Sequence, residues 1–304
     1  MALVSSSDIQ HSLIAETTFG VTPTATVTRH LLPLAPDAPL LTASATQIAS
    51  PTRMPNRSNN GSKQGMKMVD GSLEMRFQKA PFMDVLLQSA LSGTFATNTL
   101  KAGITDSSFS VLSVLDGTSA AGSQDIMNFK GLMATGFSLS AKGNEGVMAS
   151  FQVIGADFAN LTTNNPLVAT TATYNEFTAA DAPSITVGAV TLDVAEFTLD
   201  WKVDRTRRPV IGSNAGLAFG VNGTTEVTLT IKAYRNGALS AITGSAQAVS
   251  LAVGGVGTGM SFSLPAAYGD VPTIEQSDGS AFTNIVFKGG YDATQGTNFV
   301  ITKL

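Results

Sequence analysis

The sequence predicts a mainly β protein: a β-sandwich or partly closed barrel with one flanking α-helix and long extended appendages. Three observations carry this. Apolar and polar residues alternate in several separate stretches, as a strand with one dry face requires. Charged residues make up only 13% of the 304, about half the roughly 25% of an ordinary globular chain, and Thr, Ser, Ala and Gly take their place. Only one segment, Phe82 to Leu91, places its apolar residues (Phe82, Val85, Leu86, Leu91) at helical spacing.

Taken in order, residues 1–36 read as a bent N-terminal arm with little regular structure, because Gly20 and Pro23 interrupt it. Residues 37–304 read as a single β domain. Thr46 to Ala49 opens it as a strand, and Pro51 and Pro55 stop the ladder. A loop follows to Met68 and carries Arg53, Arg57, Lys63 and Lys67 without an acidic residue between Ala38 and Val69. Leu73, Met75 and Phe77 then alternate with Ser72, Glu74 and Arg76 as a second strand. Pro81 suits the first turn of the helix, and Ser92-Gly93 suits its left-handed cap.

Beyond the helix, Phe137, Leu139 and Ala141 alternate with Ser138, Ser140 and Lys142. The turn Gly143-Asn144-Glu145-Gly146 returns the chain through Val147, Ala149, Phe151 and Val153. Residues 158–186, rich in Thr, Ala and Asn, read as a linker at the halfway point. Phe197, Leu199 and Trp201 form another alternating strand, Arg205 to Pro209 a loop, and Val227, Leu229 and Ile231 the return. An internal echo links Val69-x-Gly71-x-x-Glu74-Met75 to Val221-x-Gly223-x-x-Glu226-Val227, 152 residues on. A second one links Thr135–Ser140 to Gly259–Leu264. It suggests two related halves, 37–160 and 187–304, packed across one core.

Candidate chemistry is sparse. With no cysteine, disulfides, thiolate metal sites and a cysteine nucleophile are excluded. The two histidines, His11 and His30, have no nucleophile or metal partner at a recognisable spacing. Gly254 to Gly259 fails the spacing of a phosphate-binding loop and reads as a turn. Acidic pairs four apart on one strand, such as Glu196 and Asp200, stand roughly 13 Å apart, too far for a glycosidase pair. No enzyme activity, metal or cofactor is expected. No secretion signal and no apolar run long enough to span a membrane is visible, so a soluble protein without membrane insertion is expected. The basic loop lacks the interleaved aromatics of a base-stacking surface. On a chain of net charge -4, it suits contact with another copy of the same protein.

These features also resemble those of a known family, the tail tube (major tail) proteins of long-tailed bacteriophages. The likeness rests on Ala15-Glu16-Thr17-Thr18-Phe19-Gly20-Val21-Thr22-Pro23 and on Val69-x-Gly71-Ser72-Leu73-Glu74 before the helix. Phe129-Lys130-Gly131 with Phe137-Ser138-Leu139 extends it, as does Phe197-Thr198-Leu199-Asp200 running through Arg205 to Ile211-Gly212. The resemblance implies a virion protein, assembled in the host bacterial cytoplasm, whose hexameric rings stack into a hollow tube conducting DNA at ejection. Its partners would be itself and the tape-measure, tail-terminator and baseplate (distal tail) proteins, with DNA only in transient passage. Arg53, Arg57, Lys63 and Lys67 would then lie in the loop reaching an adjacent ring. The N-terminal arm, with Glu16, Phe19 and Pro23, would add contacts, and Glu196, Asp200 and Glu226 are candidates to face the lumen. The same residues would also suit a glycan-binding or adhesive module and, less well, a β-rich hydrolase. Trp201, in phase with Phe197 and Leu199, reads as core rather than as a glycan platform.

Overall fold

A computed structural model describes residues 9–24, 28–35, 41–52, 54–55, 58, 60–116, 122–143, 145–163, 169–170, 176–178, 181, 184–235, 245–277 and 279–304. Its first half holds β1 (Gln10–Ala15), β2 (Arg29–Leu31), β3 (Thr42–Ala49), β4 (Ser62–Arg76), the helix α1 (Pro81–Leu91), β5 (Thr99–Lys101), β6 (Phe109–Asp116), β7 (Asp125–Lys142), β8 (Met148–Gly155) and β9 (Asp157–Leu161). After the short β10 (Ala169–Thr170) come β11 (Ser184–Val187), β12 (Val190–Leu192), β13 (Val194–Arg208), β14 (Ala218–Tyr234), β15 (Gln247–Val253), β16 (Met260–Gly269), β17 (Thr273–Ser277), β18 (Ser280–Gly290) and β19 (Val300–Lys303).

The strands form one large sheet that does not close into a barrel. Apart from the two-residue contact of β10 with β2, its ladders are antiparallel. Through its middle the order runs β3-β4-β8-β7-β13-β14-β18. Beyond β18 the sheet passes to β16 and β15 and turns back over its own dry face. Aromatic rings fill the space between the layers. Phe262 of β16 meets Phe77 at 5.6 Å and Phe137 of β7 at 6.4 Å, and Phe299, just before β19, stacks on Trp201 of β13 at 5.5 Å. Burial of such large side chains supplies the main driving force for the fold.

The same sequence of pairings occurs twice. In the first set β1 pairs with β2 and β6, β6 with β7, β7 with β9 and β8, β8 with β4, and β4 with β3. In the second, β11 pairs with β12 and β15, β15 with β16, β16 with β19 and β18, β18 with β14, and β14 with β13. β17 continues the line of β16 along β18. The sets meet where β13 runs beside β7, from Glu196 opposite Lys142 to Lys202 opposite Gly136.

Helix α1 belongs to the first set and lies over this meeting line. Pro81 starts it after an extended Ala80, and Ser92 ends it in the left-handed region (φ 49°), where the Gly93 amide donates to the Gln88 carbonyl. Phe82, Met83, Leu86, Leu87, Ala90 and Leu91 face the core.

Four expectations need correction. The N-terminal segment holds more regular structure than expected: β1 pairs along its whole length with β6, and β2 with β1. Gly20 and Pro23 break the chain only after β1 has ended. The loop expected from Pro51 to Met68 is mostly hairpin, since β4 begins at Ser62 and pairs with Ala49. Arg205 to Arg208 lie on β13, not in a loop. The linker expected at 158–186 contains most of β9 as well as Glu176 to Thr178, which bridge Gln78 and Gly146.

Candidate assembly surfaces

The β3 strand and the start of β4 stand largely open to solvent. Every residue of β3 is at least partly open to solvent, and Ile48 is 62% exposed. Arg53 and Arg57 lie outside the described residues. Lys63 is exposed, opposite Ile48. Lys67, expected to reach outward, turns back instead. Its Nζ donates to Asp157 Oδ1 and to the Phe158 carbonyl, both at 2.9 Å, and sits 5.1 Å from the Phe158 ring centre. Burial alone would raise the Asp157 carboxyl, but hydrogen bonds and charge from Lys67 and Lys130 outweigh it and hold the group below its ordinary value.

The N-terminal residues singled out in the sequence also bind their own subunit. Glu16 accepts from the Gly20 and Gly131 amides and from the Ser108 and Ser110 hydroxyls at 2.5–2.9 Å. A carboxylate with four donors is a structural clamp. Phe19 meets Phe219 of β14 edge-on at 5.5 Å, which ties the first set to the second. Pro23 is half-buried. His11 Nδ1 is 2.8 Å from Ser113 Oγ, and burial lowers the pKa of both His11 and His30, the second in part offset by Asp84. No cluster of three metal-ligating side chains occurs among the described residues.

The meeting line of the two sets holds residues that sequence reasoning missed. Arg205 has a side chain with 0% exposure. Its Nη1 donates to Asp106 Oδ1 at 2.7 Å, Nε to the Ala134 carbonyl at 3.0 Å, and Nη2 to the Ser89 carbonyl and Ser92 Oγ at 3.2 and 2.8 Å. The buried charge is thereby both paired and hydrogen-bonded across β7, α1 and β13, as such a charge must be. Its phase with Trp201 and Val203 was the available signal, masked by its charge. Trp201 Nε1 donates to the Ala90 carbonyl at 2.9 Å. Further along, the β13–β14 hairpin lies on the first set. Arg207 Nη2 donates to the Val69 carbonyl at 2.7 Å and to Asp70 Oδ1 at 2.6 Å, and the Lys67 amide donates to the Asn214 carbonyl.

The outer face of the sheet is polar over six strands. Glu74, Ser150, Ser138, Asp200, Thr228 and Lys288 form one row across β4, β8, β7, β13, β14 and β18. Glu196, Asp200 and Glu226, the candidate lumen residues, are all exposed on this face. They do not stand alone: Glu196 is opposite Lys142 and Lys232, and Glu226 is opposite Lys202. The face mixes both charges with many hydroxyls, and is less acidic than the three residues by themselves suggest.

The chain's sequence matches the family model described as phage tail tube protein over residues 6–293. The chain belongs to the phage tail tube protein family. The match includes β1 and reaches past the end of β18, so it covers the first set of strands and all of the second except β19. No curated protein matches the chain. Membership makes this a structural component of a virion tail with a β-rich fold, in which self-assembly with other tail proteins is the general rule. No helix among the described residues is long and apolar enough to cross a membrane.

Proposed function

We propose that this tail tube protein closes into hexameric rings, that the rings stack into a hollow tube, and that the tube conducts DNA at ejection. The observation that carries this reading is the family match across both sets of strands. Two further features support it. Long strand edges with exposed apolar residues, Ile48 on β3 and Ile274 on β17, are surfaces a protein that stays monomeric avoids. The hydroxyl-rich, charge-mixed face offers passing DNA few continuous phosphate contacts, and weak phosphate contact is what sliding requires. The protein acts without catalysis, its assembly takes place in the host cytoplasm, and the ends of the tube meet the tape-measure, terminator and baseplate proteins.

Within this reading the β3–β4 hairpin, with Arg53, Arg57 and Lys63, reaches a neighbouring subunit, while Lys67, Glu16 and Phe19 support it from inside their own chain. Pro23, half-buried between β1 and β2, adds to the subunit contact. Glu196, Asp200 and Glu226 face the lumen. Negative-stain electron microscopy of the purified protein at rising concentration tests the proposal. Rings or tubes with a central channel are expected, and a protein that stays monomeric at high concentration would overturn it.

A further inference from the structure

The two sets of strands agree in more than their order. Gly155 of β8 approaches Val69 of β4 so closely that a Cβ would stand 2.8 Å from the valine, and Gly289 of β18 approaches Val227 of β14 in the same way, at 2.3 Å. Where Lys67 binds Asp157 at the start of β9, Asn298, just before β19, donates to the carbonyl and hydroxyl of Thr225. Along β8 the pairing with β7 slips by one residue between Ala134 and Gly136. Along β18 it slips by one residue where β16 gives way to β17. These correspondences share one alignment, in which Val69 matches Val227, Gly155 matches Gly289 and Ser138 matches Thr273. The strands linked by the sequence echo are therefore counterparts, but six residues out of step, since the echo matched Val69 to Val221.

In this alignment β13 corresponds to β3, and the second part of β7 corresponds to β17. Inside the chain, β13 pairs with β7, and its hairpin tip lies on Val69 and Ala156. The counterparts β3 and β17 have no ladder partner on their outer edges among the described residues. Both are open to solvent: Ile48 of β3 and Ile274 of β17 are 62% and 61% exposed, and Val271, shortly before β17, is 85% exposed. The counterpart of the seat at Val69 and Ala156 is an open cleft lined by Thr225, Gly289, Tyr291 and Asn298.

We infer that the chain is a tandem of two copies of one unit, and that subunits join head to tail by repeating the internal joint. β3 of one subunit runs antiparallel to β17 of the next, and its β3–β4 hairpin lies in the cleft beside Thr225, Gly289, Tyr291 and Asn298. The inference rests on the self-assembly proposed above and names the surfaces that perform it. Because the joined edges differ, the contact is heterologous, and its repetition builds a ring where the rotation closes, never a two-fold dimer. Transfer of the internal register, in which Asp200 lies opposite Ser138, places Thr42 of one subunit opposite Thr273 of its neighbour.

Directly opposed residues on antiparallel strands have Cα atoms about 4.5–5.5 Å apart, within disulfide range, and the chain has no cysteine of its own. The test is mild oxidation of the double variant Thr42→Cys/Thr273→Cys after assembly, followed by denaturing electrophoresis. A ladder of covalent multimers is expected from the double variant and none from either single variant. The internal control Ser138→Cys/Asp200→Cys should cross-link within one chain and give no ladder. Rings under the microscope without a ladder would overturn this joint and leave self-assembly standing. The absence of any oligomer would overturn both. As a second reading, Ile274→Lys should abolish ring formation while leaving the melting temperature unchanged, and intact rings in that variant would count against the β17 edge.

Discussion

The joint between β7 and β13 and the bare edges of β3 and β17 hold matching places in the order of strands, yet they are built from different residues. The inner joint carries Trp201, stacked on Phe299 and bonded to α1, and Arg205, a buried cation with four acceptors. The outer edge of β3 carries Ala43, Ser44 and Ala45, and Pro272 stands just before β17. A joint made once, during folding, can enclose a large ring and a charge, because water never reopens it. An edge that must stay in water until a neighbour arrives cannot expose such groups without risk of indiscriminate pairing. One geometry thus serves as a core in one place and, in the joint inferred above, as a docking edge in the other.

The largest effects are expected at the inner joint. Trp201→Ala removes a fully packed ring and should cost about 3–5 kcal/mol, read as a lower urea midpoint of the subunit. A loss below about 1 kcal/mol would mean that the ring does not hold the joint. Arg205→Ala should cost about 3 kcal/mol, because Asp106 and two buried carbonyls lose their donor. The same measurement checks it, and Arg205→Lys should recover only part of the loss, since one ammonium cannot replace the planar fork.

Smaller effects are expected at contacts away from the joint. Lys67→Met should cost about 1 kcal/mol by leaving Asp157 with Lys130 alone. It should also move the acid limb of stability toward higher pH, because the Asp157 pKa is then less depressed. Stability tied to that carboxylate is present above its unfolded pKa and is lost as pH falls through its folded value. The smallest effect is that of the histidines. His11 and His30 have folded pKa values below 6.5, so the unfolded chain binds more protons as pH falls through that value. Stability should decline with acidification from about pH 6.5, and His11→Gln should flatten the decline in a pH series of thermal melts.

The sequence made the strands with one dry face easy to read. β7, β8, β13 and β14 alternate because each covers the core on one side only, and Pro81 with Ser92-Gly93 frames the helix. The first half of β4, Ser62 to Met68, was hidden for the opposite reason: most of its side chains are open to solvent, so no alternation marks it. β1 was hidden because its long partner is distant in sequence, β6 being about a hundred residues away, and β2, only three residues long, is too short to show an alternation. Among the candidate surface residues, net local charge proved a poor guide to direction. Lys67 lies in a basic stretch, yet its partner, Asp157, comes from 90 residues further on. Arg205 was misread as a loop residue because a cation on an inward-facing position has meaning only once Asp106 is known to meet it.

The tandem arrangement also bears on how assembly begins. Nucleating a ring from separate pieces is slow because each added piece gives up translational freedom. A covalent connection replaces that loss with a high effective concentration of one end for the other. If each chain brings two units already docked, every second contact around the circle forms during synthesis of a single polypeptide. Closure then takes half as many diffusional encounters as there are units, and incomplete arcs have correspondingly fewer chances to fall apart.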